Sequence, residues 1–462
     1  MGGPTMDRHE RKMMSKSRKR TTLVAAAGIA LSLALTGCLQ DPNPRGGGGS
    51  GGDFVAQGGT TDGDKLVTIF GAFGGDEAVG FRDSLTKFTE ETGIKVEYNN
   101  STDFTTLIKA RVRSGDTPDI AIYPQPGGLA EQAVERAIQP IDTFLDYDTI
   151  NSTLIPGFLD AARINGRVYG APMRMAVKSI VWYPESYKAT GLPTEFKSIQ
   201  EMQQVAGKIK DSGTTPWCVG FESGAATGWP GTDWIEELVL RMWGPDVYDQ
   251  WTKHKIPFND ERIVKAFEEM DKLLLTDGMS FGGRKGILAT SFGNAMDPAF
   301  KTPPSCYWMR QGNFVSGMFP KDIQANLDTV VGTTVFPPYE GGFAGQPILG
   351  GGDIAALFNG DDPDAIEVMK FLTSDKFGAE WAKKGGWLSP HRTFDQSNYP
   401  DETTRRIAEM ASNADVFRYD GSDLMPNAVG GGTFWSGMVD FTSGEKSAQA
   451  VADAIENSWP KS

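Results

Sequence analysis

The chain has 462 residues, of which 39% are hydrophobic and 23% charged, with a formal net charge of −14. These values suit a chain long enough for two domains, and a mean hydropathy of −0.32 excludes a polytopic membrane protein. An acidic chain repels nucleic acid and anionic lipid headgroups over most of its surface, so no nucleic-acid partner is expected.

The charge is uneven. Residues 1–37 carry seven bases and two acids, and the bases lead into an apolar run from Leu23 to Leu35. A basic stretch, a short apolar stretch and small residues at its end describe a secretory signal peptide, too short to span a bilayer comfortably. Its ending, Leu35-Thr36-Gly37-Cys38, resembles the lipobox of bacterial lipoproteins, which implies lipidation of Cys38 and a membrane contact through that anchor alone. The Gly- and Pro-rich segment 38–64 then reads as a flexible tether, with folded sequence beginning near Lys65.

From there strands and helices alternate. Leu66–Phe70 is a short apolar run ended by Gly71, the pattern of a buried strand. Phe81, Leu85 and Phe88 follow at helical spacing, and Gly93 stops that helix. Ile94, Val96 and Tyr98 alternate as a second strand; Leu107, Ile108 and Val112 suit a second helix; Ile120–Tyr123 is a third strand, broken by Pro124 and Pro126. Such alternation with short loops argues for a parallel α/β sheet. Further helices are marked by Ile263, Phe267, Met270 and Leu274, by Ile366, Met369 and Phe371, and by Val451, Ile455 and Trp459 at the end of the chain.

Catalytic apparatus is thin. There is no nucleophile elbow, Walker loop, zinc-protease helix or EF-hand loop. Gly350-Gly351-Gly352-Asp353 lacks the spacing of a dinucleotide fingerprint, and Asp361-Asp362-Pro363-Asp364 fits a helix start better than a calcium loop. Only His254 and His391 remain beyond the signal, and no cysteines are paired in spacing, so no metal and no cofactor are expected. If Cys38 carries lipid, Cys218 and Cys306 are an even remainder in an exported chain, which suggests a disulfide.

The positive signal is tryptophan. There are eleven, several in what reads as Gly- and Pro-rich loops, where a core residue would be badly placed: Gly228–Trp234, Gly385–Pro390 and Gly432–Trp435. An aromatic plate against the C–H face of a sugar ring, with polar groups at its rim, fits a sugar well.

Lys87–Val96 with Thr117–Ile120 resembles the N-terminal lobe of extracellular solute-binding proteins of ABC importers, in the maltose-binding group. Asp423–Asn427 followed by Phe434-Trp435 resembles that group's C-terminal ligand segment. The blocks at Pro216–Cys218, Gly228–Trp234 and Pro303–Cys306 are closer still to its α-glucoside-binding branch, and the resemblance spans roughly 65–460. It implies an α/β fold of two lobes, each a mostly parallel sheet flanked by helices, with a ligand cleft at the hinge. The lobes expected are 65–175 plus 353–405 and 176–352 plus 406–462.

Carried onto this chain, the ligand set comprises Asp76, Glu77, Tyr123 and Gln125 from the first lobe, and Glu222, Trp229, Asp233, Arg310 and Gln311 from the second. Trp435 matches the stacking aromatic, and Asp353 and Trp387 are added on glycine context. Where the maltose group has an acid pair after the Tyr123-like aromatic, this chain has Pro124-Gln125-Pro126, so maltose itself is not implied. The resemblance implies a monomeric, lipid-anchored receptor on the extracytoplasmic face of the membrane, passing an α-linked di- or oligosaccharide to permease subunits. The alternative is an anchored carbohydrate-processing enzyme, for which Glu222 and Asp233 would have to face each other across the cleft.

Overall fold

A computed structural model describes residues 63–155 and 157–461. The signal stretch, Cys38 and nearly all of the tether lie outside the described residues. No described helix is long and apolar enough to cross a membrane.

The first sheet is built as the apolar runs dictate. Strands β1 (Leu66–Gly71), β2 (Lys95–Asn100) and β3 (Ile120–Tyr123) pair in parallel, β1 in the middle. Helix Gly75–Thr92 returns the chain from β1 to β2, burying Phe81, Leu85 and Phe88, and ends where Gly93 adopts φ 74°. Helix Phe104–Ser114 returns it from β2 to β3. A short hairpin of β4 (Arg163–Ile164) and β5 (Arg167–Val168) precedes β6 (Ala171–Val177).

Every residue of β6 is buried, and the chain runs almost straight from it into β7 (Ile180–Pro184), the first strand of a second sheet. That sheet holds β7, β8 (Thr215–Trp217), β9 (Cys306–Arg310) and β10 (Val331–Val335) in the order β10-β7-β9-β8. Two of its three pairings are antiparallel, so this lobe departs from the mostly parallel sheet expected. The reason is topological: the chain enters by extending a crossing strand, not by a strand–helix–strand unit, and nothing imposes the parallel direction.

The chain returns through β11 (Pro347–Leu357), which pairs antiparallel with β3 and β6 and parallel with β12 (Val416–Tyr419). The stretch 406–419, expected in the second lobe, therefore supplies a strand to the first sheet, and the third crossing falls at Asp420. The crossings are tied together. Lys178 N–H donates to Leu349 O at 2.8 Å, Asp420 N–H to Gly350 O at 2.7 Å, and Phe336 N–H to Ser179 O at 2.9 Å. Ser179 Oγ accepts from Leu349 N–H and donates to Glu237 Oε2 at 2.7 Å. Cys218 and Cys306 are joined by a disulfide, with Cα atoms 5.5 Å apart.

Two glycine-rich stretches read as loops are helical. Trp229–Thr252 is helical on either side of a kink at Gly244 (φ 82°), with Pro230 in its first turn and Gly228 before it at φ 110°, and a π-helical turn Val429–Phe434 runs on into helix Trp435–Ser443. Proline in a first helical turn loses nothing, since that N–H has no intrahelical partner. Trp459 lies just past helix Ala448–Ser458, not on its apolar stripe, and stacks on His254 with ring centroids 4.0 Å apart.

A candidate ligand cleft between the lobes

Where the three crossings meet, the lobes enclose a cavity of about 620 Å³, in the range of small-molecule sites. One wall comes from the segments that follow β1, β2 and β3: Phe73 and Glu77 after β1, Thr105 after β2 and Gln125 after β3. The opposite wall comes from Glu222, Trp229, Phe292, Phe314 and Trp435, and the floor from crossing residues Arg174, Lys178, Asp353, Asp420 and Asp423.

The two cleft tryptophans are brought together by a glycine. A Cβ on Gly228 would stand 2.2 Å from the Trp435 carbonyl oxygen, and its φ of 110° is one side chains rarely adopt. The backbone before Trp229 thus lies against that of Trp435. The Trp229 ring packs on Phe292 at 5.0 Å and on Phe314 at 6.0 Å, and Lys178 Nζ stands 5.1 Å over its face. Trp435 is 7% exposed, so little more than one edge meets the cavity.

Two buried cations organise the floor. Arg174 Nη2 is 2.7 Å from Glu77 Oε1 and its Nη1 is 3.6 Å from Asp353 Oδ2; its guanidinium lies 4.9 Å from the Trp381 ring and 5.3 Å from Phe73. Burial pushes the Asp353 carboxyl up to about 6, with Arg174 pulling it down and Glu77 pushing it up. Lys178 Nζ donates to Asp233 Oδ1 at 2.9 Å and to Asp420 Oδ2. Burial, partly offset by Lys178 and reinforced by Asp420, pushes Asp233 up to about 8.

Of the residues named from the sequence, Glu77, Gln125, Glu222, Trp229, Asp353 and Trp435 line this cavity. Asp76 lines an adjoining cavity of about 410 Å³ beside Glu77 and accepts from Lys321 Nζ at 2.7 Å. The others are placed elsewhere. Tyr123 is buried edge-on to Phe104, because the strand alternation turns it away from the cleft. Asp233 sits behind the floor on Lys178, so it does not face Glu222 across open space. Arg310 donates to Glu237 Oε2 at 2.9 Å, fully inside the second lobe, and Gln311 Oε1 accepts from Gly312 N–H at 2.8 Å. Trp387 is 1% exposed, packed among Trp381, Phe377 and Phe394.

Sequence reasoning passed over Arg174, Lys178, Asp420, Phe292 and Phe314. Arg174 and Lys178 did carry a signal: two cations in an otherwise apolar run, Ala171 to Val181, must find buried partners. Asp420 had none, since its role arises only where the third crossing meets the first.

Residues 74–379 match the family model described as bacterial extracellular solute-binding protein. The chain is 42% identical over 398 residues to the osmoprotective compounds-binding protein GgtB of Synechocystis sp., covering 86% of this chain and 93% of that one. It is 34% identical over 403 residues to the alpha-glucosides-binding periplasmic protein AglE of Rhizobium meliloti, covering 86% and 87%. A solved structure from work on xylan utilization by Caldanaerobius polysaccharolyticus superposes with a TM-score of 0.71 at 19% identity, covering 85% of this chain and 99% of that one, which shows the two-lobe fold. With its crossings, its interlobe cavity and a family match over most of its length, the chain belongs to the bacterial extracellular solute-binding proteins.

Proposed function

We propose that the protein is the lipid-anchored substrate-binding component of an ABC importer, capturing an α-glucoside-type di- or oligosaccharide and delivering it to permease subunits. The observation that carries this reading is the half-exposed Trp229 ring, beside an edge of Trp435, on one wall with carboxyls and amides on the others: an apolar surface for ring faces, polar rims for hydroxyls. The likeness to an alpha-glucosides-binding relative supports the sugar class, and the relative named for osmoprotective compounds extends the search to such solutes. Ligand contacts from both lobes favour the closed arrangement over the open one, and that difference is what a transporter can read. It performs no chemistry on the sugar in this reading.

The test is a thermal-shift panel of α- and β-linked di- and oligosaccharides and small glycosides, followed by calorimetry on those that stabilise. Stabilisation by α-glucosides that are recovered intact after prolonged incubation supports the reading. Cleavage of the sugar, or stabilisation only by non-carbohydrate solutes, overturns it. Anchoring through Cys38 is tested apart: a Cys38→Ala variant that leaves the membrane fraction or stays unprocessed supports it, and a mature-sized, membrane-bound variant overturns it.

A further inference from the structure

The cleft does not end at Trp435. A further cavity of about 320 Å³ continues from the main one and shares Thr102, Thr105, Ala226 and Trp435 with it. That is space for on the order of ten waters at about 30 Å³ each, the scale of one more sugar ring.

Both lobes build this arm. Helix Phe104–Ser114 of the first lobe brings Thr106, Ala110 and Arg113 to it, and the second lobe brings Ala225, Asn427 and Gly431. Gly431 keeps one corner open, since a Cβ there would stand 2.7 Å from Asn427 Oδ1 and 3.6 Å from Trp435 Cη2. The Asn427 amide and the edge of the Trp435 ring therefore flank a single glycine.

The polar side chains of the arm are not spent inside the protein. Among the described residues, no hydrogen bond or ion pair takes up the side chains of Thr102, Thr106, Arg113 or Asn427. Lys109 alone is held, by Glu131 at 2.6 Å. Threonine hydroxyls and an asparagine amide both donate and accept, and a guanidinium donates, which together suit the hydroxyls of a sugar.

The opposite end of the cleft differs. In the cavity of about 410 Å³ beside Glu77, Lys321 is taken by Asp76 at 2.7 Å and Lys384 by Asp83 at 3.0 Å. The first of these pairs already joins one lobe to the other. Polar groups left for a ligand lie at the Asn427 end.

We propose, resting on the sugar-binding reading, that the ligand is an α-linked oligosaccharide of three or more rings. Its chain runs from the main cavity past the edge of Trp435, and a further ring sits between helix Phe104–Ser114 and Asn427. A disaccharide leaves that arm to water, so chain length is read there.

The test is calorimetry with two matched pairs, maltose with maltotriose and isomaltose with isomaltotriose. The readout is the ratio of trisaccharide to disaccharide affinity, which a general loss of binding does not move. In the series that binds, wild type is expected to favour the trisaccharide by about ten-fold or more (on the order of 1.4 kcal/mol). Ala110 and Ala225 are exposed, one on each lobe, and line the arm but not the main cavity. Ala110→Trp and Ala225→Trp fill the arm from either side, and each should bring the ratio to within about two-fold of unity. Asn427→Ala adds no bulk and should lower the ratio by about three-fold or more.

Equal affinities for the two lengths in wild type overturn the proposal. So does a ratio that survives both tryptophan substitutions in variants that melt like wild type, or one that Asn427→Ala leaves unchanged. If another glucoside of the panel binds while neither trisaccharide does, the proposal fails and the sugar reading stands. If no sugar binds at all, the reading itself fails and takes the proposal with it.

Discussion

The ammonium of Lys178, in the link from β6 to β7 that crosses between the lobes, donates to Asp233 at 2.9 Å in the helical segment that opens with the cleft tryptophan Trp229. This link, shared with Asp420, fastens two of the three crossings to the second lobe. Removing the cation leaves buried acids uncompensated. Lys178→Met is therefore expected to cost about 3–5 kcal/mol of unfolding free energy, measured by denaturant titration. The deficit should narrow at lower pH, because Asp420, which Lys178 holds below the usual carboxylate range, takes up a proton more readily once the cation is gone, and that removes the charge that Lys178 balanced. A deficit independent of pH would contradict this account.

Trp435 offers a second test. With only an edge of the ring in the cavity, a sugar can cover on the order of 20 Å² of it, worth ~0.5 kcal/mol, and an aromatic contact adds ~0.5–1.5 kcal/mol. Trp435→Ala should weaken sugar binding by about 1–2 kcal/mol. At 7% exposure the ring is also part of the packing, so melting should fall too. Calorimetry separates the effects: unchanged affinity with lowered melting would make Trp435 a packing residue only.

His391 gives a pH-dependent prediction. Its Nδ1 lies 2.8 Å from Thr153 Oγ1, whose own hydrogen goes to Ile150 O at 2.9 Å, so Nδ1 carries the proton and donates. Burial pulls the imidazole down to about 4, against Asp375 and the Thr373 backbone, which pull it up. A histidine lowered on folding favours the native state above its unfolded value near 6.5, and that advantage is lost as pH falls toward 4. The full span is worth about 3 kcal/mol. His391→Asn should flatten the loss of stability between these limits; an unchanged slope in urea titrations would refute the assignment.

The disulfide closes a separation of 88 residues. In the chain-entropy model such a loop is worth at most ~4.6 kcal/mol. Cys218→Ser with Cys306→Ser should lower stability by up to that amount while binding persists, since neither residue lines the cavity. Alkylation of the unfolded, unreduced wild type should label neither cysteine; labelling of both would show the bond is not formed in the isolated protein.

Periodicity made part of this molecule legible. The apolar run at Leu66–Phe70 and the helical spacing of Phe81, Leu85 and Phe88 became β1 and the helix after it, because adjacent residues alone determine which face is apolar. The glycine stretch before Trp435 was harder. Glycine signals freedom of the backbone but does not say whether a turn or a helix uses it; here Trp229 opens one helix, while Gly430–Gly432 lie inside a helical segment that Trp435 continues.

The cleft acids mark the limit. That Glu77 and Asp353 meet on Arg174, and Asp233 and Asp420 on Lys178, depends on strands far apart in the chain arriving at one hinge. By itself the sequence determined the local elements, the aromatic character of the site and the family, all of which rest on neighbouring residues or on short motifs. Only the tertiary structure decided which acids face the cavity, which are spent on buried cations, and that Trp387 and Arg310 belong to the packing, because burial and charge pairing are properties of the assembled crossings and not of any segment alone.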